Sequence, residues 1–210
     1  MVRSLCVCGL APGLELRTRV AVIMHVGESV RSSNTGRLVP LALANSFVCL
    51  RGVRHQPTET GGMIPDGSRG LVLYPSPGSA ELDGRAAALG GRPLTLIVLD
   101  GNWNQAAKMA RREPVLKDLP RVKLPPGPPS SFRLRVQGDP ARVCTFEAVS
   151  RALGVIEGAE VQARLEEFLT AMVERMLWSR GRLKASQVAG GVPPEALSGK
   201  SRTFAAGDPS

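Results

Sequence analysis

The stretch from Leu94 to Lys108, LTLIVLDGNWNQAAK, constrains the fold of this chain more than any other. Leu94, Leu96, Ile97, Val98 and Leu99 form a short apolar run that lacks the alternation of a half-exposed strand. It therefore predicts a parallel strand covered on both faces. Asp100 and Gly101 end the run, and Asn104 or Asn102 can cap a helix expected from Gln105 to about Arg112. In open α/β sheets, ligands sit outside the carboxyl ends of the strands, where the next helix offers unpaired backbone N–H groups. Leu99, Asp100, Gly101, Asn102 and Trp103 occupy such an edge, which brings a carboxylate, an amide and an indole onto one loop.

Other segments repeat the pattern of strand followed by polar turn. RVAVIMH, from Arg19 to His25, reads as a first strand. After it, His25, Glu28 and Arg31 recur at intervals of three, so one helical turn would align them. Asn34 and Thr35 then open the apolar run Leu38 to Leu43, read as a helix started or interrupted by Pro40. A plainer reading has Ser33, Asn34 or Thr35 capping that helix while Glu28 and Arg31 pair in solvent. Ser46 to Arg51 is a second strand, with Cys49 as a core thiol. Gly70 to Tyr74 is a third, and Leu73, Tyr74 and Pro75 lead into a Pro/Gly loop. Ser79 to Leu89 reads as a short helix and Arg121 to Leu124 as a strand. Arg133 and Arg135 share a face if Ser130 to Arg135 is extended. Thr145 is the expected N-cap of a helix to about Ile156, with Glu147 in its first turn, a start able to hold a ligand group. Val161 to Trp178 carries apolar residues at helical spacing and packs on the core.

With 210 residues and 43% hydrophobic content, the chain suits one sizeable core. The formal charge is +9, and 22 of the 27 basic residues are Arg, which suits phosphate, although a GC-rich genome also enriches Arg. Aromatics are only 4% and Tyr74 is the sole tyrosine, so an RNA partner would be held by charge and shape rather than by a stacking platform. No apolar run approaches the roughly 20 residues of a membrane helix, and the amino terminus breaks too early for a secretory signal. No membrane association is expected, and the cytoplasm is the default. Cys6, Cys8, Cys49 and Cys144 are too scattered for a disulfide framework, so reduced thiols are expected. From Ala185 to Ser210 the chain is Gly, Pro, Ser and small residues without periodicity, read as a disordered tail after one domain spanning residues 1–184.

Six segments taken together resemble one family: LDGNWNQAAKM, HVGESVRSSNTGRL, LVLYPSPG, LPRVKL, SFRLR and CTFEAVSRALGV. Their order and spacing, from about Cys6 to Trp178, are similar to those of DTW-domain proteins, which are tRNA-uridine aminocarboxypropyltransferases. The resemblance implies a single SPOUT-like α/β domain with a trefoil-knotted, mostly parallel sheet flanked by helices. It implies S-adenosylmethionine as co-substrate and tRNA as partner, with the aminocarboxypropyl group moved to the imide nitrogen of a uridine. No obligatory protein partner is inferred. On this reading Asp100 takes the imide proton and Trp103 walls the pocket. Leu73, Tyr74, Pro75, Leu99, Gly101, Asn102, Thr145 and Glu147 surround the donor, and Arg133 or Arg135 meets its carboxylate or an RNA phosphate. His25, Glu28, Arg31, Asn34 and Thr35 face the substrate.

The chain departs from the family pattern at three places. Asn102 stands for the signature's threonine, Val26 for the usual proline after the histidine, and the first cysteine pair of the common zinc knuckle is absent. Cys6 and Cys8 supply only two of the four ligands that tetrahedral zinc wants, so no metal site is expected. Two other classes are compatible with the pattern: a SPOUT-like RNA methyltransferase, and a non-catalytic RNA-binding protein that retains the fold.

Overall fold

The computed structural model, which describes residues 5–84, 91–134 and 142–203 with side chains to 198, contains six strands among those residues. In chain order they are β1 (Arg19–His25), β2 (Ser46–Arg51), β3 (Arg69–Leu73), β4 (Ala80–Glu81), β5 (Leu94–Asp100) and β6 (Arg121–Lys123). They lie side by side in the order β2-β1-β5-β3-β6-β4, and every pairing is parallel. All the carboxyl ends therefore share one edge, and the register pairs Met24 with Asp100 and Leu73 with Val98 there.

The central strand β5 is buried at all seven positions, as its unbroken apolar run requires. Alternate side chains point to opposite faces of a strand. Leu96 and Val98, with Val20, Val22 and Met24 of β1, face one apolar layer. Ile97 and Leu99, with Ala21 and Ile23, face the other. The first layer is completed by α4 (Thr145–Glu157) and α5 (Ala159–Ser179), through Phe146, Val149, Leu153, Leu165 and Leu169. The second is completed by Ala106, Met109 and Ala110 of α3 (Trp103–Arg112). Two shorter helices, α1 (Val26–Ser29) and α2 (Val39–Ala42), occupy the turn after β1, with Pro40 in the first turn of α2, where its missing N–H costs nothing. Among the described residues no helix is long and apolar enough to cross a membrane.

Three local expectations are corrected. Between residues 185 and 203 there is regular structure where composition led us to expect a disordered tail from 185 to 210: a short turn at Ala185–Gln187 and a helix α6 (Pro194–Thr203). Val188 and Ala196 bury against Trp178 and Leu5. Arg175 of α5, itself buried, donates to the carbonyls of Gly190, Gly191 and Cys6, so one guanidinium fastens the segment at Cys6 and the segment at Gly190–Gly191 to α5. A few anchors suffice, and they leave no periodic signal. Cys6 and Cys8, expected as reduced thiols, are paired as a disulfide, their Cα atoms 5.5 Å apart, a separation that permits the bridge. Cys49 and Cys144 are free. Finally, the segment read as a helix from Ser79 to Leu89 begins with β4; residues 85–90 lie outside those described.

Candidate active site

At the carboxyl edge of the sheet the chain turns from β5 into α3 through Asp100, Gly101 and Asn102. Asn102 is the N-cap: its Oδ1 accepts from the Gln105 backbone N–H at 2.9 Å, and its own N–H donates to Gln105 Oε1 at 2.8 Å. This capping box fixes the exit angle of the helix and leaves Trp103, its first residue, 44% exposed beside Asp100. Gln105 also reaches back to β1, where its side-chain amide lies 3.1 Å from His25 Nδ1. That nitrogen accepts from the Gly27 N–H at 3.0 Å as well, making His25 the N-cap of α1.

Asp100 is buried and its two oxygens have different partners. Asn34 Nδ2 donates to Oδ2 and the Thr145 hydroxyl to Oδ1, each at 2.5 Å. The carboxylate thus ties β5 to the loop after α1 and to the first residue of α4. Thr35, also buried, completes the tie by accepting from the Phe146 N–H at 3.3 Å. Gly36 must be glycine here: a Cβ would lie 2.5 Å from Asp100 Oδ2.

Two adjoining chambers open around this knot of bonds. The larger, of about 810 Å³, is walled by Leu73, Tyr74, Pro75, Leu99, Gly101 and Trp103, and cations line it at Lys123, Arg142 and Arg151. The smaller, of about 260 Å³, is polar, with Glu28, Ser33, Asn34, Thr35, Asp100 and Asn102 on its wall. Gly101, Trp103, Arg142, Val143 and Thr145 line both. The Arg142 guanidinium carbon lies 5.0 Å from the centroid of the Trp103 ring, a cation–π contact at the junction.

Most of the expected site residues converge on these chambers, but some do not. His25 is occupied in tying β1 to α3 and lines neither. Arg31 pairs with Glu28 at 3.1 Å; Glu28 itself is buried and lines the small chamber, so the pair is not the solvent pair of the plainer reading. Arg133 meets Glu174 of α5 at 3.3 Å and lines neither chamber. Arg135 lies outside the described residues. Thr145 is not the N-cap of α4: Cys144 is, and the Thr145 hydroxyl is given to Asp100 instead.

Glu147 is drawn inward as the other half of the Cys144 capping box. It accepts from the Cys144 N–H at 2.9 Å, from Ser130 Oγ at 2.6 Å, and from the Ser131 N–H and hydroxyl at 2.7 and 3.0 Å. Burial alone pushes this carboxyl up, but those donors together hold it below the ordinary glutamate value. Beside it, burial and then the Glu147 charge raise the Cys144 thiol to about 12. The sequence reading missed Lys123, Arg142 and Arg151. Ala148 and Arg151 follow Thr145 at intervals of three on one helix face, a signal that was present. Arg142 follows an aperiodic segment and gave none.

An all-parallel α/β sheet with a ligand-sized cleft across its strand ends is the architecture in which small molecules commonly bind at the carboxyl edge. The DTW domain matches residues 1–177, and the chain belongs to the DTW-domain family. It is 29% identical over 150 residues to a tRNA-uridine aminocarboxypropyltransferase 2 from Drosophila melanogaster, covering 70% of this chain and 59% of that protein. It is 24% identical over 160 residues to the protein of the same name from Macaca fascicularis, covering 74% and 54%. The chain thus spans between about half and three-fifths of the length of these curated relatives. Among solved structures, a SAM-dependent rRNA acp-transferase from Vulcanisaeta distributa aligns over 84% of this chain and 86% of that one, with a TM-score of 0.45 and 20% identity, too distant a likeness to carry an argument.

Proposed function

We propose that the chain is a tRNA-uridine aminocarboxypropyltransferase using S-adenosylmethionine as co-substrate. The observation that carries this reading is the pair of joined chambers at the strand ends, one mostly apolar and one polar, with Trp103 of the family signature at their junction and Asp100 on the wall of the smaller. The donor set fits the co-substrate. The larger chamber lies within the roughly 300–1,000 Å³ typical of small-molecule sites, its strand-end apolar wall suits an adenosine, and its cations suit a carboxylate. Bound there, S-adenosylmethionine supplies an activated γ-carbon, whose bond to sulfur breaks with the electron pair going to sulfur as the bond to the uridine nitrogen forms.

The protein's own contribution is positioning and proton transfer. Trp103 walls the junction. Asp100 lines the small chamber, where a carboxylate can take the imide proton, and the hydrogen bonds from Asn34 and Thr145 fix its orientation. Glu28, Asn34 and Thr35 make the chamber polar enough for a uracil edge. The net charge of +9 supports tRNA as the partner that delivers it. The trefoil-knotted, SPOUT-like path and a cytoplasmic setting belong to the same proposal; strand order defines adjacency, not threading. The test is to incubate the protein with tRNA and S-adenosylmethionine and separate the donor products. Release of methylthioadenosine that depends on tRNA is expected. S-adenosylhomocysteine instead would identify a methyltransferase, and neither product would indicate a binding protein.

A further inference from the structure

Arg142 is the one cation, among the described residues, that lines both chambers. Lys123 and Arg151 border only the larger. Arg133, which the sequence offered for a carboxylate, is turned away to Glu174. The Arg142 guanidinium lies against the indole of Trp103, which limits how far it can wander. Two helices of ten and thirteen residues, α3 and α4, begin at this junction, and their amino-terminal dipoles add positive potential there. The junction therefore offers an anion one cation and two helix amino termini, on the side away from the Glu28 and Asp100 carboxylates of the small chamber.

That location matters for a sulfonium donor. With its adenosine in the larger chamber, whichever substituent is transferred must point across the junction toward the acceptor. Of the groups on sulfur only the aminocarboxypropyl arm ends in a carboxylate; the methyl group offers a cation nothing. We propose that Arg142 binds the α-carboxylate of the donor and so selects the aminocarboxypropyl arm, rather than the methyl group, for presentation to the acceptor chamber. The proposal rests on the donor reading above.

The test is titration calorimetry of the wild type and of Arg142→Gln with two ligands, S-adenosylmethionine and methylthioadenosine, which share the adenosine and the sulfur but not the carboxylate. Loss of a charge-assisted contact should weaken S-adenosylmethionine about 10- to 100-fold and leave methylthioadenosine within about twofold. Arg142→Lys keeps the charge without the planar fork and should recover part of the loss. Arg142 is exposed, so both variants should fold, which circular dichroism checks. Equal weakening of both ligands would overturn the proposal, leaving Arg142 as a support for Trp103; so would no change in either. If the wild type binds neither ligand, the donor reading itself falls, a result distinct from both.

Discussion

Two helices start side by side at the carboxyl edge of the sheet and close their first turns with the same device, yet the two starts do different work. At α3, Asn102 and Gln105 exchange hydrogen bonds in solvent, at the rim of the small chamber. At α4, Cys144 and Glu147 do so inside the protein, and Glu147 also holds Ser130 and Ser131. A cap on the rim leaves its neighbour Trp103 facing the cleft. A cap in the interior takes its carboxylate out of reach of a ligand. Residue type does not separate the two; burial and the number of donors do. Asp100 lies between them, buried like Glu147 but lining a chamber.

The largest effect expected is at Asp100. In Asp100→Asn the side-chain oxygen can still accept from Asn34, and the amide can donate to Thr145, whose hydroxyl turns to accept it. The fold should persist while the proton acceptor is lost. Single-turnover transfer should fall about 10²- to 10⁴-fold with donor affinity little changed. Near-normal turnover would put Asp100 in the same class as Glu147, a structural tie.

Glu147→Gln probes the interior cap. It should cost on the order of 2 kcal/mol at neutral pH, because donors that now meet a carboxylate would meet an amide. The folded-state value of Glu147 is depressed, so its stabilisation is present above the ordinary glutamate range and is lost as pH falls through the folded value. Urea denaturation should show the gap between wild type and variant narrowing in acid. A variant of unchanged stability that no longer binds the donor would erase the contrast between the two caps.

At the rim, Asn102→Ala should cost about 1 kcal/mol, whereas Asn102→Thr, the family's residue, keeps a cap and should cost only a few tenths. Thermal unfolding distinguishes them. The smallest effect is expected at the other end of β5, where the buried hydroxyl of Thr95 has no hydrogen-bond partner among the described residues. Thr95→Val should change stability by no more than about 1 kcal/mol, in the stabilising direction, and leave transfer untouched.

The sequence was readable where one local rule acts alone. β5 needed only its apolar run, and α3 only a cap and a face of Ala106, Met109 and Ala110. The meeting of the loop after α1 with Asp100 was not readable in this way, because it depends on a strand order that sets β1 beside β5. What was hidden depends on contacts distant in sequence. Thr145 was the cap expected from residue type, and only the presence of Asp100 across the cleft takes its hydroxyl and leaves the capping position to Cys144. Arg133 and Arg142 are equivalent on paper, and Glu174 of α5 claims the first. The packing of residues 185–198 rests on Arg175 and Trp178, neither of which marks its partner in the sequence.

The most direct test of the site as an aminocarboxypropyl-transfer centre is nucleoside mass spectrometry of tRNA recovered after incubation with the protein and S-adenosylmethionine. The account predicts a uridine enlarged by one aminocarboxypropyl group, formed by the wild type and depleted with Asp100→Asn. A uridine carrying a methyl group, or tRNA with no added mass despite donor binding, would contradict it.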